Sequence, residues 1–589
     1  MSAVQDQNFF DSKVLGHPSG LFVLFFTEMW ERFSFYGMRV LLINFLTSAI
    51  LSDKGPLFNG WGWNSEQAGA LYGTYAMLLY ITPIFGGILA DKFLGYRWAV
   101  VIGAIIMTIG HASMAIDGAI FMYIGLACLV IGTGFFKPNM TSILSEMYKS
   151  YPEKKDSAYT IFYMGVNAGA FFGMMLCGYL AEKVGWHWGF GLAGIFMLLG
   201  TLQFWFAKPI FGTIGDPPTA EQKAAAAKSA EESTDPNDKL NPFTLVDKIL
   251  IGVMTVLGIG YAFNDPLSKV GDMNLFNFKV GGLAGQDFVI LVALILFLAV
   301  VISRLTRYTK IVRDRMIAVI IFAFFVIFFW MSFEQGASSL VIFARDNVDR
   351  TLEGTSLTIF NIVNAGLTII PLSIITYVVI KLTQQTFGKA PITNIVQILC
   401  FALIWGIAIW MLYKEFTATS SEITVSWFSI LNSFFIIAFA SSVSKIWDSK
   451  LNPPAAVKYG LGLIIMAIGF GLLAFGSHGI QEGVKVSMIW LVLAYLFHTL
   501  GELFLSPVGL SYVSKLVPAR MIAFMFGMWY LAIAIGNKLA AIIGGQIENI
   551  TKAYSLSTFF LIFTIVPIVA GLIVMGLNPV LKKLMHGVK

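Results

Sequence analysis

Charged side chains lie inside a segment near the amino terminus that is otherwise apolar enough to cross a membrane. Residues 27–39 read TEMWERFSFYGMR, which places Glu28, Glu31, Arg32 and Arg39 on one predicted helix. Glu28 and Arg39 share a face of that helix, because eleven residues at about 100° each return to within about 20° of the starting direction. Charges inside a membrane are costly unless they face a protein interior or a water-filled cavity. The sequence therefore predicts a polar cavity beside this helix.

Acidic and basic residues occur in equal numbers inside the predicted membrane spans. The acids are Glu28, Glu31, Glu334 and Glu502, and the bases are Arg32, Arg39, Lys137 and Lys538. Balanced charge predicts ion pairs around a shared cavity, because an unpaired ion is poorly tolerated at low dielectric. A carboxylate that takes up a proton releases its cationic partner. Such pairs can therefore couple protonation to opening or closing of the cavity.

Two polar residues keep a simpler interpretation open. The alternative for Lys538 is a buried ion pair with a purely structural role. His498 lies one turn before Glu502, and it either tunes the proton affinity of that carboxylate or bonds a neighbouring helix. The three cysteines lie in apolar segments without metal-ligand spacing, and we interpret them as packing residues.

Membrane-spanning helices must position these residues. Of the 589 residues, 57% are hydrophobic and 12% are charged, whereas a soluble protein has about 25% charged residues. Apolar stretches of about 20 residues, each long enough to cross a hydrocarbon layer of about 30 Å, predict an all-α polytopic membrane protein. Continuous apolar runs exclude an outer-membrane barrel, and scattered basic residues exclude a nucleic-acid-binding protein. The sixteen predicted spans are 20–47, 66–90, 98–116, 119–145, 158–181, 187–210, 245–263, 286–304, 316–344, 357–381, 393–413, 424–447, 456–475, 486–512, 521–546 and 556–578.

Loop charges predict the orientation of these helices. With the amino terminus in the cytoplasm, cytoplasmic segments hold nearly three times as many Lys and Arg residues as the opposite loops. An even number of spans then places both termini in the cytoplasm. The amino terminus lacks the features of a secretory signal, so we expect the first helix to be retained.

The charged stripe also carries a family resemblance. Residues 28–37, EMWERFSFYG, resemble the ExxERFxYYG signature of the proton-dependent oligopeptide transporter family, within the major facilitator superfamily. Phe35 stands where the signature usually has a tyrosine, which removes a hydroxyl from the expected cavity wall. Further motifs of the family are resembled, in the family's order, by GGILADKFLGYR (86–97), GTGFFKPN (132–139), FYMGVNAG (162–169), WMSFEQG (330–336), GELFLSPVG (501–509) and MW (528–529). The resemblance implies two six-helix bundles that give alternating access to a central site.

The resemblance implies roles for the matching residues. Arg39 and Lys137 are expected to bind the carboxylate of a peptide, while Glu502 receives its terminal ammonium. A site that binds both charged ends of a peptide tolerates many different side chains between them. The other substrate-binding residues implied are Asn167 and Asn432 for the peptide backbone, Tyr36, Tyr80, Trp330 and Trp529 for side-chain pockets, and Ser506.

The same resemblance implies a coupling cluster and gates. The proton-coupling residues are Glu28, Glu31, Arg32 and Lys137. The pairs Arg39–Glu334 and Lys137–Glu502 are similar to salt bridges that open and close the family's cavity.

Four spans exceed the twelve of the superfamily. We predict a first bundle at 1–213, a cytoplasmic linker at 214–243 and an inserted hairpin at 244–310. The second bundle follows at 311–589 and contains a second inserted hairpin at about 355–414, which we expect to pack outside the twelve-helix core as a peripheral or partner-binding element. A competing alignment takes residues 360–364, FNIVN, as the family's eighth helix in place of residues 425–432.

The function implied is proton-coupled symport of di- and tripeptides into the cell across a bacterial inner membrane. We expect no metal and no cofactor, with protons as the coupling ion. Peptides and the lipid bilayer are the expected partners, and one chain is the expected functional unit, with oligomers left open. Alternatives are a carrier of the same family for nitrate, a modified peptide or a drug-like anion, and a non-transporting peptide sensor. The sequence holds no HExxH, no GxSxG and no clustered His or Cys, so we do not expect an enzyme.

Overall fold

Long helices make up almost all of the structure. The computed structural model describes residues 12–219, 221, 241–447, 449, 452–480, 483–518 and 521–588, so most of the predicted linker at 214–243 lies outside the described residues. Fifteen helices in this part of the chain are long and apolar enough to cross a membrane. The charged helix Ser19–Thr47, with 29 residues, is also long enough. The predicted all-α polytopic fold is thus confirmed.

The chain up to Phe211 forms the first bundle. Its elements are β1 (Lys13–Val14), β2 (His17–Pro18), α1 (Ser19–Thr47), α2 (Ser65–Leu89, extended by a π-helical turn at Ala90–Leu94), α3 (Tyr96–Met114), α4 (Ala119–Met147), α5 (Lys155–Lys183), α6 (Trp186–Trp205) and the short α7 (Lys208–Phe211). Helix α1 packs against α5 and α6, and α2 packs against α4. Glycines allow the close approach of α5 to α1, because a Cβ atom at Gly169 would lie 2.2 Å from the Met29 carbonyl oxygen.

The rest of the chain contains a first hairpin, a second hairpin and the second bundle. The first hairpin is α8 (Leu245–Val270) and α9 (Gly285–Leu305), joined by β3 (Lys279–Val280) and β4 (Leu283–Ala284). Next come α10 (Lys310–Phe333), a 3-10 turn (Glu334–Ala337), α11 (Ser339–Asp346), β5 (Val348–Asp349) and β6 (Thr351–Glu353). The second hairpin is α12 (Gly354–Thr386) and α13 (Pro391–Thr417). The chain ends with β7 (Ser420–Glu422), α14 (Val425–Trp447), α15 (Ala455–Gly476), β8 (Val486–Ser487), α16 (Ile489–Leu516), α17 (Ile522–Gly544), α18 (Ile547–Ala553), α19 (Leu556–Gly576) and α20 (Asn578–Leu584).

Helices α10, α11, α14, α15, α16, α17 and α19 form the second bundle. Helix α15 packs against α16 and α19, while α17 packs against α10. The strands are only two or three residues long. They pair as β1–β2, β3–β4 and β6–β7 in antiparallel fashion and as β5–β8 in parallel fashion, within the loops.

The second hairpin packs against the first bundle, although it is inserted in the second half of the sequence. Helix α13 lies on α6 and also reaches α1. The indole nitrogen of Trp30 donates a hydrogen bond of 3.1 Å to the side-chain oxygen of Gln397 on α13. The ring of Phe401, also on α13, lies 5.5 Å from that of Trp30. Apolar and polar contacts together therefore fix this hairpin to the first bundle.

Candidate functional site

The two bundles are in contact at the end where α1 finishes and α2 begins. Ser65 on α2 donates a hydrogen bond of 2.8 Å to the Gly545 carbonyl oxygen, immediately after α17. Glu182 on α5 accepts a hydrogen bond of 2.8 Å from the backbone N–H of Val425, the first residue of α14. We call this the outer end, because the topology predicted from loop charges places it outside the cytoplasm. The site lies between the bundles, on helices that these contacts bring together.

Three ionisable groups of α1 form a buried cluster. The Arg32 Nε atom lies 2.8 Å from Glu28 Oε1, one helical turn earlier, and 2.8 Å from Glu31 Oε2. Glu31 is fully buried, and its Oε1 atom accepts no hydrogen bond from the described residues. Two carboxylates thus share one guanidinium, which leaves an excess negative charge when both are ionised. One proton removes that excess, so the cluster is a suitable proton acceptor.

A second ion pair joins the two bundles. Arg39 of α1 pairs with Glu334, which lies in the 3-10 turn between α10 and α11. The Arg39 Nε atom also donates a hydrogen bond of 2.8 Å to the Tyr72 hydroxyl on α2. That hydroxyl donates to Glu334 Oε2 over 3.2 Å. We call Arg39, Tyr72 and Glu334 the outer gate, because they hold the bundles together beside the cavity described next.

A cavity opens next to the outer gate, between the two bundles. Its lining consists of Arg32, Phe35, Tyr36, Arg39, Tyr72, Tyr75, Ala76, Leu79, Tyr80, Thr133, Lys137, Glu334 and Asn537. Six predicted site residues are therefore brought together here, with Glu28 and Glu31 attached through Arg32.

Lys137 supplies a cation to this cavity. Its ammonium lies 4.6 Å from the centre of the Tyr80 ring, a cation–π contact. No carboxylate of the described residues lies within 4.0 Å of it, so the predicted pair with Glu502 is not formed in this structure. Lys137 lies within electrostatic reach of Arg32, which repels it, and of Glu31 and Glu28, which attract it. The ammonium is thus available to an anionic group of a ligand.

Glu502 on α16 is held by an amide in place of a cation. Asn432 on α14 donates a hydrogen bond of 2.9 Å to Glu502 Oε2, and it also donates over 3.1 Å to the Thr499 hydroxyl. Glu502 lies within electrostatic reach of Glu334 and Tyr36, both on the cavity wall. An acid positioned in this way is a suitable partner for a ligand ammonium group.

The remaining predicted residues do not line this cavity. The Asn167 amide donates to the Tyr163 carbonyl oxygen of its own helix over 3.0 Å. Trp529 is 3% exposed and packs against Tyr459, with ring centres 6.4 Å apart. The Trp330 ring packs against neighbouring phenylalanine rings of α10, and the Ser506 hydroxyl is buried without a hydrogen-bond partner among the described residues.

His498 does not contact Glu502 through a hydrogen bond. Its ring packs 4.2 Å from that of Phe470, and its Nε2 atom has no hydrogen-bond partner in the described part of the chain. The structure thus shows neither of the two predicted roles of His498, the tuning of Glu502 or a bond to a neighbouring helix.

Several cavity residues on α2 were not predicted from the sequence. Tyr72, Tyr75, Ala76, Leu79 and Tyr80 all line the cavity, and only Tyr80 was predicted. Their spacing of three and four residues places them on one face of a helix, as in an amphipathic segment. Three tyrosines on a single face of a membrane helix were the signal that could have identified this wall.

Comparisons with known proteins agree with this architecture. The model of the POT family matches residues 97–229 and 406–562 of the chain. The peptide transporter YePEPT of Yersinia enterocolitica is 29% identical over 580 residues, covering 97% of this chain and 96% of that protein. The chain belongs to the POT family. It is therefore a multi-pass membrane transporter and not an enzyme.

Other POT proteins are similar over the whole chain. A di-/tripeptide transporter of Lactococcus lactis subsp. cremoris is 28% identical over 594 residues and is covered completely, as is this chain. A crystal structure of a mutant POT peptide transporter in complex with alafosfalin superimposes with a TM-score of 0.70 at 27% identity, covering 100% of both chains. A POT transporter in complex with 5-aminolevulinic acid superimposes with a TM-score of 0.67 at 25% identity, covering 98% of this chain and 99% of the other.

Proposed function

We propose that this POT protein is a proton-coupled symporter that carries di- and tripeptides into the cell. The observation that carries the proposal is the cavity between the bundles, which Arg39 and Lys137 line, with Glu502 nearby and without a cationic partner among the described residues. The names of the relatives, which include peptide and di-/tripeptide transporters, support the same substrate class.

The charges of the site fit a short peptide. A peptide has one terminal carboxylate and one terminal ammonium, and the site offers cations on α1 and α4 and an acid on α16. Tyr36 and Tyr80 provide aromatic walls that can pack against varied side chains without hydrogen-bond specificity. Selection by charged ends with tolerant walls gives a carrier for many small peptides.

The buried cluster on α1 supplies the coupling. A proton taken up by Glu28 or Glu31 weakens the hold of that carboxylate on Arg32 and the attraction that it exerts on Lys137. The electrical gradient alone supplies about 2.3 kcal/mol per charge for each 100 mV. We place the protein in a bacterial inner membrane with both termini in the cytoplasm and one chain as the functional unit.

Uptake into liposomes tests the proposed function. With the protein reconstituted and an inward gradient of protons and voltage imposed, labelled dialanine should accumulate above its external concentration. The accumulation should disappear when a protonophore collapses the gradient. Transport of nitrate, a modified peptide or a drug-like anion without dialanine uptake would contradict the peptide assignment, and peptide binding without any flux would identify a sensor.

Substitution Glu502→Gln should weaken recognition of the peptide amino group. An ion-assisted hydrogen bond contributes about 1.5–3 kcal/mol, so the KM for dialanine should rise by about 10- to 100-fold. N-acetyldialanine has no ammonium group, so its KM should be nearly unchanged by the substitution. The measurement is initial uptake or competition in proteoliposomes with both compounds.

Glu353→Gln is the control for this charge removal, since Glu353 is exposed in β6 and does not line the cavity. It should leave the KM of both compounds at the wild-type value. Equal weakening of dialanine and N-acetyldialanine by Glu502→Gln would show that Glu502 does not bind the ammonium.

A further inference from the structure

A second ionic cluster, with a buried ion pair at its centre, lies outside the cavity, near the outer end. The Lys538 ammonium lies 2.5 Å from Asp265 Oδ2, and the side chains are only 5% and 12% exposed. Asp265 also pairs with Lys269 over 3.0 Å, and Lys269 pairs with Glu66 over 3.1 Å. The four charges balance. They come from three separate parts of the fold, because Lys538 belongs to α17, Asp265 and Lys269 to α8, and Glu66 to α2.

Beside this ionic cluster, the first hairpin is attached to the first bundle. The Thr74 hydroxyl on α2 donates a hydrogen bond of 2.6 Å to the Ala262 carbonyl oxygen of α8. The Gln67 side chain on α2 donates over 3.2 Å to the carbonyl oxygen of Lys269. Together with the Lys269–Glu66 pair, these contacts hold α8 on α2. The outer half of α8 is therefore expected to move with the first bundle.

Lys538 reaches this unit from the second bundle. Its ammonium donates to the Thr74 hydroxyl over 3.0 Å and to the Ala70 carbonyl oxygen over 3.4 Å, both on α2. The backbones of α2 and α17 approach closely here, since a Cβ atom at Gly73 would lie 2.5 Å from the Ala541 Cβ atom. Lys538 thus crosses the interface between the bundles to find its counter-ion on the inserted hairpin.

We propose that the Lys538–Asp265 ion pair is a second contact of the outer gate, through which the first hairpin takes part in the transport cycle. The proposal rests on the carrier function proposed above. Alternating access requires the bundles to separate at the outer end, and this separation draws α17 away from α2. Lys538 then leaves Asp265 and enters the water-filled opening. The pair therefore stabilises the outer-closed state and is broken in the outer-open state.

The ion-pair partners of Asp265 and Lys538 predict which of the two substitutions disturbs the gate more. Asp265 keeps Lys269 as an ion-pair partner when Lys538 is replaced. Lys538 has no other carboxylate within 4.0 Å among the described residues, so replacing Asp265 leaves a buried cation unpaired. An uncompensated buried charge is far more costly than the loss of both partners. Asp265→Asn should therefore disturb the gate more than Lys538→Met, and adding Lys538→Met should rescue Asp265→Asn.

Spin labels at exposed positions of the outer loops can report the state of the gate. Asp53 follows α1 in the first bundle, and Tyr554, which is 78% exposed, follows α18 in the second. The distance distribution between labels at these positions is measured by double electron–electron resonance in proteoliposomes, with dialanine uptake measured in parallel. Asp265→Asn should increase the fraction at longer distance and reduce the uptake rate at least tenfold. Asp287→Asn, an exposed acid on α9 of the same hairpin, is the matched control and should leave both readouts unchanged.

The double variant, Asp265→Asn with Lys538→Met, tests the proposal directly. It should resemble Lys538→Met alone, with a smaller lengthening than Asp265→Asn. Additive effects, or wild-type distances in all three variants, would overturn the proposal. If Asp265→Asn is not recovered as folded protein, a longer distance in the double variant relative to wild type supports the gate contact and an unchanged distance refutes it. Absence of peptide uptake by the wild type, with the predicted order of distances preserved, would refute the proposed substrate and leave the gate contact standing.

Discussion

Replacing Glu31 with glutamine should abolish proton-driven accumulation of peptide while peptide exchange across the membrane continues. Glu31 and Glu28 share Arg32, and Glu31 is the fully buried member of the cluster. Glutamine keeps the size of the side chain but cannot take up a proton, and it leaves Glu28 and Arg32 as a neutral pair with no excess negative charge for a proton to remove. Without a change of charge, the proton gradient has no means of driving the cavity from one state to the other.

Glu28→Gln and Lys137→Ala should produce the same loss, for related reasons. Glu28 is the second carboxylate on Arg32, and Lys137 is the cavity cation that both carboxylates attract. The expected result is accumulation reduced at least 100-fold. Counterflow of labelled dialanine against unlabelled peptide inside the liposomes should remain measurable for the glutamine variants, since it needs no net proton movement.

The control for these variants removes an acid outside the buried cluster. Glu153→Gln serves this purpose, because Glu153 is exposed in the 3-10 turn Pro152–Lys154. It should accumulate dialanine at the wild-type level. Normal accumulation by Glu28→Gln, Glu31→Gln and Lys137→Ala would show that the cluster does not couple protons to transport.

The charged stripe of α1 could be predicted because it depends on local geometry alone. Helical spacing fixes the face on which Glu28, Arg32 and Arg39 lie, and the membrane forbids that face from pointing to lipid. The structure places Arg32 and Arg39 on the cavity wall. The link from Arg39 to Glu334 depends on packing between distant helices, and it came from the family resemblance.

Asp265 was missed because of the position of a helix end. The predicted seventh span stops at residue 263, whereas α8 continues to Val270 and buries Asp265 among three helices. Lys538 was therefore counted with the cavity charges, although its counter-ion lies on the first hairpin. Hydropathy falls at the polar residues that end α8, so the sequence pattern alone could not show that the helix continues.

The packing of the second hairpin was equally inaccessible to sequence reasoning. Apolar runs predict that α12 and α13 cross the membrane, and the helices form where expected. Which neighbours they choose depends on complementary surfaces, such as Gln397 against the indole of Trp30. Spacing along one helix carries no information about the face of another, so the attachment to the first bundle emerges only from the structure.

Replacing Glu334 with glutamine should open the outer gate. Arg39 would lose its anionic partner on the second bundle and keep only uncharged hydrogen-bond acceptors such as the Tyr72 hydroxyl, although its side chain is just 17% exposed. Removing one partner of a buried ion pair costs about 3–5 kcal/mol, which corresponds to a shift of roughly 100-fold or more in the equilibrium between the outer-closed and outer-open states. Dialanine uptake should fall by a similar factor, because the protein seldom reaches the outer-closed state.

The distance between spin labels at Asp53 and Tyr554 should lengthen in Glu334→Gln, and the uptake rate should fall in parallel. Tyr72→Phe is the graded comparison, since it removes one hydroxyl and leaves the ion pair intact, for a cost of about 1 kcal/mol. Glu334→Gln should change both the label distance and the uptake rate more than Tyr72→Phe does. A distance distribution identical to that of the wild type, with reduced uptake, would assign Glu334 to substrate binding in place of gating. The outer end would then be held by the Lys538–Asp265 pair and the contact of Glu182 with α14.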